Sequence, residues 1–336
     1  MREGKLLTAL FVLVLSTLAF ALTISPAWAQ EPKVVTFATG HGQIGREDTH
    51  DDYNALLQDL VALGYDTDEI EGRITTSSLA GVDLLMLGSV FGESFTNAEV
   101  SAIKSWFEEG EKAIWVGSDS DFGEGHYIIE NSNKVLEAIG SKIRVEPTQV
   151  LDSESNAGDR DYRVVASVTN QDDEEIREIT QGVEKALYHG PTILAGFVDS
   201  EWVDLETTEV EDVFVIQWTS SASNIADQDF AAGVEFEPQA HDLTATGSFA
   251  IFAVERFAGP NQNNKIIVTG STPFGGYEPI YAPEYYETPL DGPELVTQAV
   301  VWSLEIESPP AIELTLIIGV IVVIVIIVAV ALYMRR

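Results

Sequence analysis

The sequence contains no cysteine, which removes disulfides, zinc–thiolate sites and a thiol nucleophile from consideration. A domain built without them takes its stability from core packing, and 336 residues are ample for that. Basic residues are scarce. Only 18 Lys and Arg stand against 54 Asp and Glu, a formal charge of −36. Four of the basic residues, Arg2, Lys5, Arg335 and Arg336, sit at the two ends, so the stretch between is more acidic still. Phosphate binding needs clustered Lys and Arg, which makes nucleic acid and anionic lipid surfaces poor partners. Cations, basic proteins and neutral glycans are compatible with this charge. Asn-x-Ser/Thr triplets are missing too, as are low-complexity tracts.

What is present begins with the two ends. Residues 1–29 carry a charged start (Arg2, Lys5), an apolar core and Ala27-Trp28-Ala29 before Gln30, the pattern of a secretory signal peptide. Residues 314–332 form an uninterrupted Ile/Val-rich run followed by Arg335 and Arg336. At about 1.5 Å per residue, such a helix just spans the hydrocarbon layer. Paired arginines belong on the cytoplasmic side. The expected topology is single-pass in the cell membrane: an extracytoplasmic body over 30–305, a Pro-containing stalk over 306–313, one transmembrane helix, and a cytoplasmic tail over 333–336.

Between the ends, four apolar β-branched runs stop at small residues. They lead into Gly40, Gly88, Gly117 and Gly270. Runs that are apolar throughout, separated by amphipathic segments, are expected of a parallel sheet covered on both faces. Helices are expected over 51–63, from Thr96 to Gly110, over 131–139 and over 293–304; Thr96 and Glu99 form a capping box. The order predicts an α/β fold with a three-layer, doubly wound, mainly parallel sheet of flavodoxin or amidotransferase type. Its core covers 33–142 and 265–305, with a β-rich elaboration over 143–264. Within the elaboration, 162–168, 213–218 and 249–257 read as strands, and 180–194 as a turn, a short helix and an apolar run.

In open α/β sheets the crevice lies outside the carboxyl ends of the strands. The four run ends therefore predict a small polar cleft lined by His41, Ser89, Ser118, Asp119, Ser271 and Thr272. The loop over 271–291 adds aromatic residues among prolines, and Phe274, Tyr277, Tyr281, Tyr285 and Tyr286 are expected at its rim, able to grip a sugar ring or a partner chain. Two chemistries are open at the turn after the third run. Ser118 or Ser120 could act as nucleophile, with His41 or His126 as base and Asp119 or Asp121 as orienter, although the spacing is not G-x-S-x-G; otherwise these residues cap the following helix. Asp119, Asp121, Glu124 and His126 are candidate divalent-metal ligands, without the glycine position and twelfth-position Glu of a calcium loop. Gly40, Gly42 and Gly45 match G-x-G-x-x-G literally, but no helix opens there and Gly88-Ser89 stands where the ribose-binding acid belongs. No cofactor is expected.

Several segments carry a family resemblance. Glu109-Gly110 before the third run, the Gly117-Ser118-Asp119 turn, Thr180-Gln181-Gly182-Val183, His189-Gly190-Pro191-Thr192 and the 265–271 segment resemble the class I glutamine-amidotransferase-like fold. The likeness is to its non-catalytic GIFT-type branch, which includes archaeal exported domains and the lumenal domain of the non-catalytic, membrane-anchored oligosaccharyltransferase subunit. Family catalysis needs a cysteine at the turn occupied here by Ser118 or Asp119. The resemblance thus implies a binding or assembly module, with protein partners in a membrane complex and a glycan among its ligands. The rival expectation is an extracellular serine- or metal-dependent hydrolase acting on glycan or peptide. A ligand-binding subunit of a transporter is the third.

Overall fold

The computed structural model describes residues 31–44, 50–123, 125–169, 171–229 and 237–305. The chain opens with β1 (Val34–Ala38), α1 (His50–Ala62), β2 (Asp66–Ile70), β3 (Leu84–Leu87), α2 (Asn97–Phe107), β4 (Ala113–Gly117) and α3 (His126–Ile139). It continues with β5 (Ile143–Val145), β6 (Gln149–Asp152), β7 (Arg163–Val168), the one-turn α4 (Glu174–Arg177), β8 (Lys185–His189), β9 (Leu194–Val198) and β10 (Glu201–Asp204). Then follow β11 (Val213–Trp218), β12 (Ser223–Ala226), β13 (Thr246–Gly247), β14 (Ala250–Ala258) and β15 (Asn264–Thr269). The small hairpin of β16 (Glu284–Tyr285) and β17 (Thr288–Pro289) precedes α5 (Gly292–Leu304).

Nine strands form one sheet in the order β2-β1-β3-β4-β15-β14-β11-β7-β8. The half from β2 to β15 pairs in parallel, and the half from β15 to β8 pairs antiparallel. The sheet is therefore mixed, which corrects the expectation of a mainly parallel one. Connection length explains it: β14 and β15 are joined by residues 259–263, too few for a crossover, so the chain can only turn back on itself. The elaboration also builds two smaller antiparallel sheets, β10-β9-β5 and β13-β12-β6.

Alternation along the central strands divides the core into two layers. Val35, Phe37, Leu84, Met86 and Trp115 pack on the face covered by α1 and α5, with Leu56, Leu60, Val296 and Val300. Leu85, Leu87, Ile114 and Val116 pack on the opposite face, under Ile103, Phe107, Val135 and Leu136 of α2 and α3. Both faces being buried is why these strands read as continuous apolar runs. The capping box is formed as the spacing requires: Thr96 accepts the Glu99 N–H and the Glu99 carboxylate accepts the Thr96 N–H. The α3 helix begins at His126, earlier than the expected 131, because buried Ile128 and Ile129 extend its apolar stripe.

Two elements depart from the sequence reading. The segment Asp66–Ile70, with Asp66, Asp68 and Glu69, is the edge strand β2, where only Ile70 is buried. Charge is tolerated there because one side of an edge strand faces water. Within 180–194 the expected short helix is replaced by β8, whose Ala186, Leu187 and Tyr188 are all buried. No helix among the described residues is long and apolar enough to cross a membrane. The segments expected as signal peptide (1–29), stalk (306–313) and transmembrane helix (314–332) lie outside the described residues.

Candidate functional site

Because β1, β3, β4 and β15 are adjacent and parallel, their carboxyl ends emerge on one edge of the sheet. The backbones there are tightly nested. A Cβ on Gly88 would stand 3.0 Å from Thr272 Oγ1, and one on Gly117 would stand 2.6 Å from the Pro273 ring. Gly270 is tighter still: its Cβ would lie 2.1 Å from the Thr192 carbonyl oxygen. Its N–H donates to Ile251 at 2.8 Å while its carbonyl accepts the Thr192 N–H at 2.9 Å. That pair draws the segment after β8 across the sheet edge, and this segment becomes one wall of a cleft.

The cleft is a cavity of about 1060 Å³. Asp119, Ser120, Gln149 and Gly190 make its polar floor. The Ser120 N–H donates to the Asp119 carboxylate at 2.7 Å and to the Gly190 carbonyl at 3.0 Å, and Gln149 Nε2 donates to Ser120 Oγ at 3.3 Å. Gly190 holds a left-handed φ of 56° so close to this group that a Cβ would sit 3.2 Å from Gln149 Nε2. Burial pushes the Asp119 carboxyl up to about 8, against the opposing pull of the Ser120 N–H and hydroxyl. At neutral pH the floor is thus an uncharged carboxylic acid, a hydroxyl and an amide.

The walls are aromatic. Tyr277 stacks on His189 with ring centroids 5.5 Å apart and planes 14° from parallel, and meets Phe91 edge-on at 6.0 Å. Tyr162 meets His189 edge-on at 5.5 Å, and Tyr285 meets Tyr286 edge-on at 4.7 Å. The Arg163 guanidinium lies 3.8 Å over the Tyr286 ring, 5.3 Å from Tyr162 and 5.5 Å from Tyr285, and donates to Tyr286 Oη at 3.0 Å. Among the described residues it has no carboxylate partner within 4.0 Å, so its charge is held by ring faces.

The sequence-predicted residues divide between this cavity and the layer beneath it. Asp119, Tyr277, Tyr285 and Tyr286 line it. Ser89, Ser118, Ser271 and Thr272 are buried under the floor as fastenings. The Ser89 hydroxyl donates to the Ser118 carbonyl, Ser271 Oγ donates to the His189 carbonyl at 3.4 Å, and Thr272 Oγ1 donates to the Phe274 carbonyl at 2.5 Å. The Ser118 hydroxyl accepts from Ser132 Oγ of α3 at 3.2 Å. His41 is not in the cleft; its ring nitrogens lie 2.5 Å from the Glu93 carbonyl and 2.8 Å from the Glu99 carboxylate, and Arg73 joins the same carboxylate at 2.9 Å. Phe274 and Tyr281 are core residues rather than rim. Phe274 packs edge-on against Phe37 at 5.1 Å, and the Tyr281 hydroxyl donates to Asp59 of α1.

The metal candidates do not converge. Asp119 is part of the cavity floor, and Asp121 accepts the Gln228 N–H at 3.3 Å. Burial raises the Asp121 carboxyl to about 7, with Asp227 and Asp229 adding to the rise and the Gln228 N–H opposing it. His126 Nδ1 lies 2.7 Å from the Asp229 carboxylate. Glu124 lies outside the described residues. Among the described residues no group of three or more His, Asp and Glu is placed to hold a metal ion. The cavity residues that sequence reasoning missed include Phe91, Gln149, Tyr162, Arg163, His189 and Glu278. The signal available for three of them was local: Tyr162-Arg163 opens a strand, and His189-Gly190 closes one.

No family model and no curated protein matches the sequence. Among solved structures, the chain is similar to the mmIFT52 N-terminal domain, with a TM-score of 0.52 and 16% identity over 82% of this chain and 99% of that one. They share a fold. A ThuA-like protein from Bacteroides uniformis ATCC 8492 matches at a TM-score of 0.41 and 14% identity, over 83% of this chain and 94% of its own. The glutaminase domain of Trypanosoma brucei CTPS, solved with bound acivicin, matches at 0.33 and 10%, over 80% and 93%. At 16% identity the likeness to the first of these is one of fold alone, and nothing about activity travels with it.

Proposed function

We propose that the chain is a non-catalytic, membrane-anchored extracytoplasmic binding or assembly module of the GIFT-type branch, a subunit of a glycan-transfer or transport complex. The aromatic cavity is its recognition surface. The observation that carries this reading is Ser118. In the family pattern a cysteine nucleophile occupies this turn; here the hydroxyl is fully buried and engaged by Ser132, while the groups beside it form a cleft with aromatic walls, a polar floor of Asp119, Ser120 and Gln149, and the charged Arg163 and Glu278 at its sides. Clefts of that make-up, mostly aromatic with a few convergent polar groups, are the usual place for a ligand to sit, and the burial of Ser118 is what favours recognition over turnover.

The test uses the full chain in mild detergent. Co-purifying chains are identified for wild type, Ser118→Ala and Tyr277→Ala. Recovery of the same partners is expected with Ser118→Ala and loss of them with Tyr277→Ala. Turnover of an extracellular glycan or peptide that vanishes in Ser118→Ala or Ser120→Ala would overturn the reading in favour of a hydrolase.

A further inference from the structure

The cavity's chemistry is specific enough to choose among ligands, given that it is the recognition surface. We infer that it holds an uncharged polyhydroxylated ring, with one ring face on Tyr277 and edge oxygens at Asp119, Ser120 and Gln149. Tyr277 is half exposed while its stack with His189 fixes the ring, so an apolar platform is held ready without ordering a mobile side chain on binding. The floor offers both donors and acceptors within one patch, the combination that matches hydroxyl groups, which are themselves both. Charge argues in the same direction. Among the described lining residues, Arg163, stacked on Tyr286, and Glu278 bring opposite charges, so neither a phosphate nor an ammonium group meets a field of one sign from them. The neutral state of Asp119 supplies the donor that an ionised carboxylate would lack.

Asp119 also gives the site a pH dependence. The ligand needs the protonated carboxyl, so affinity falls as pH rises through about 8, by up to about tenfold per pH unit beyond it. The groups around it are Ser120, Gln149, Gly190 and His189, with Arg163 and Glu278 on the walls and Asp121 two residues on.

The experiment measures binding of neutral glucose, mannose and galactose trisaccharides, with glucuronic acid and glucose 6-phosphate as charged comparisons. It uses the full chain in a detergent with no sugar headgroup, reading intrinsic fluorescence at pH 7 and pH 9. Saturable binding of a neutral trisaccharide is expected, weakened at least tenfold by Tyr277→Ala. Wild-type affinity is expected to drop about tenfold at pH 9, while Asp119→Asn, which keeps a neutral donor, stays flat between the two pH values. Binding of the charged probes alone, binding unaffected by Tyr277→Ala, or an equal pH dependence in Asp119→Asn would each overturn the inference. If no saccharide binds but partner recovery still depends on Tyr277, the ligand assignment fails and the module reading stands.

Discussion

His241 offers the most quantitative test of the architecture. Its Nδ1 is hydrogen-bonded to the Glu146 carboxylate and its Nε2 lies 2.8 Å from that of Glu206, and the ring is only 6% exposed. Glu146 also accepts the N–H groups of Gln239 and Ala240 at 2.6 Å, and Glu206 accepts that of Ala250 at 2.9 Å. One imidazolium thus clamps the 239–241 segment between β5 and the residues after β10. Burial opposes the charge on His241, but the two carboxylates outweigh it and raise the ring to about 9. A histidine whose folded value exceeds its unfolded 6.5 contributes stability in full below pH 6.5 and loses it as pH rises through about 9. At about 1.4 kcal/mol per pH unit, the interval bounds the contribution at about 3 kcal/mol. Asp119 and Asp121, raised to about 8 and about 7, also lower stability with rising pH, but over the window beginning near their ordinary 3.8. The difference between wild type and His241→Gln isolates the clamp. In urea unfolding of the full chain, the variant is expected to be about 2–3 kcal/mol less stable at pH 6, with the gap closing to under about 1 kcal/mol at pH 10. A gap that stays constant with pH would refute the charged clamp and leave His241 as a packing residue.

Three further outcomes follow from the same geometry. Gly270→Ala should destabilise by about 3 kcal/mol or more, since its Cβ meets a backbone oxygen that cannot step aside; a melting temperature within a few degrees of wild type would show that the 190–192 segment is loosely held. Phe274→Ala should cost about 3–5 kcal/mol and Tyr277→Ala under about 1 kcal/mol in the same unfolding assay, a contrast that separates core from rim within one loop. Ser118→Ala removes a 3.2 Å hydrogen bond under the floor and should cost about 1 kcal/mol without changing partner recovery.

Much of the central sheet could be read directly from residue order. Val34–Ala38, Leu84–Leu87, Ala113–Gly117 and Asn264–Thr269 are buried on both faces, and that environment writes itself into the sequence as unbroken apolar runs. The Thr96 cap was equally legible, because a capping box is a contact between residues three apart. Strand β2 was not, since an edge exposed to water imposes no apolar pattern.

The site divides along the same line. Residue types and their place after a strand marked Asp119 and three of the loop tyrosines. Whether a side chain of that loop faces inward or outward depends on what it meets: Phe274 found Phe37 and Tyr281 found Asp59, both on distant elements, while Tyr277 found His189 at the cavity wall. Arg163 joined Tyr286 across more than a hundred residues for the same reason. Local patterns mark the strands buried on both faces and the capped helix, because those features are written by neighbours in the chain, whereas β2 and β8 became strands only through their partners in the sheet. The cavity is decided by pairings between β4, β7, β8 and the 273–287 loop, and only the folded molecule brings these together.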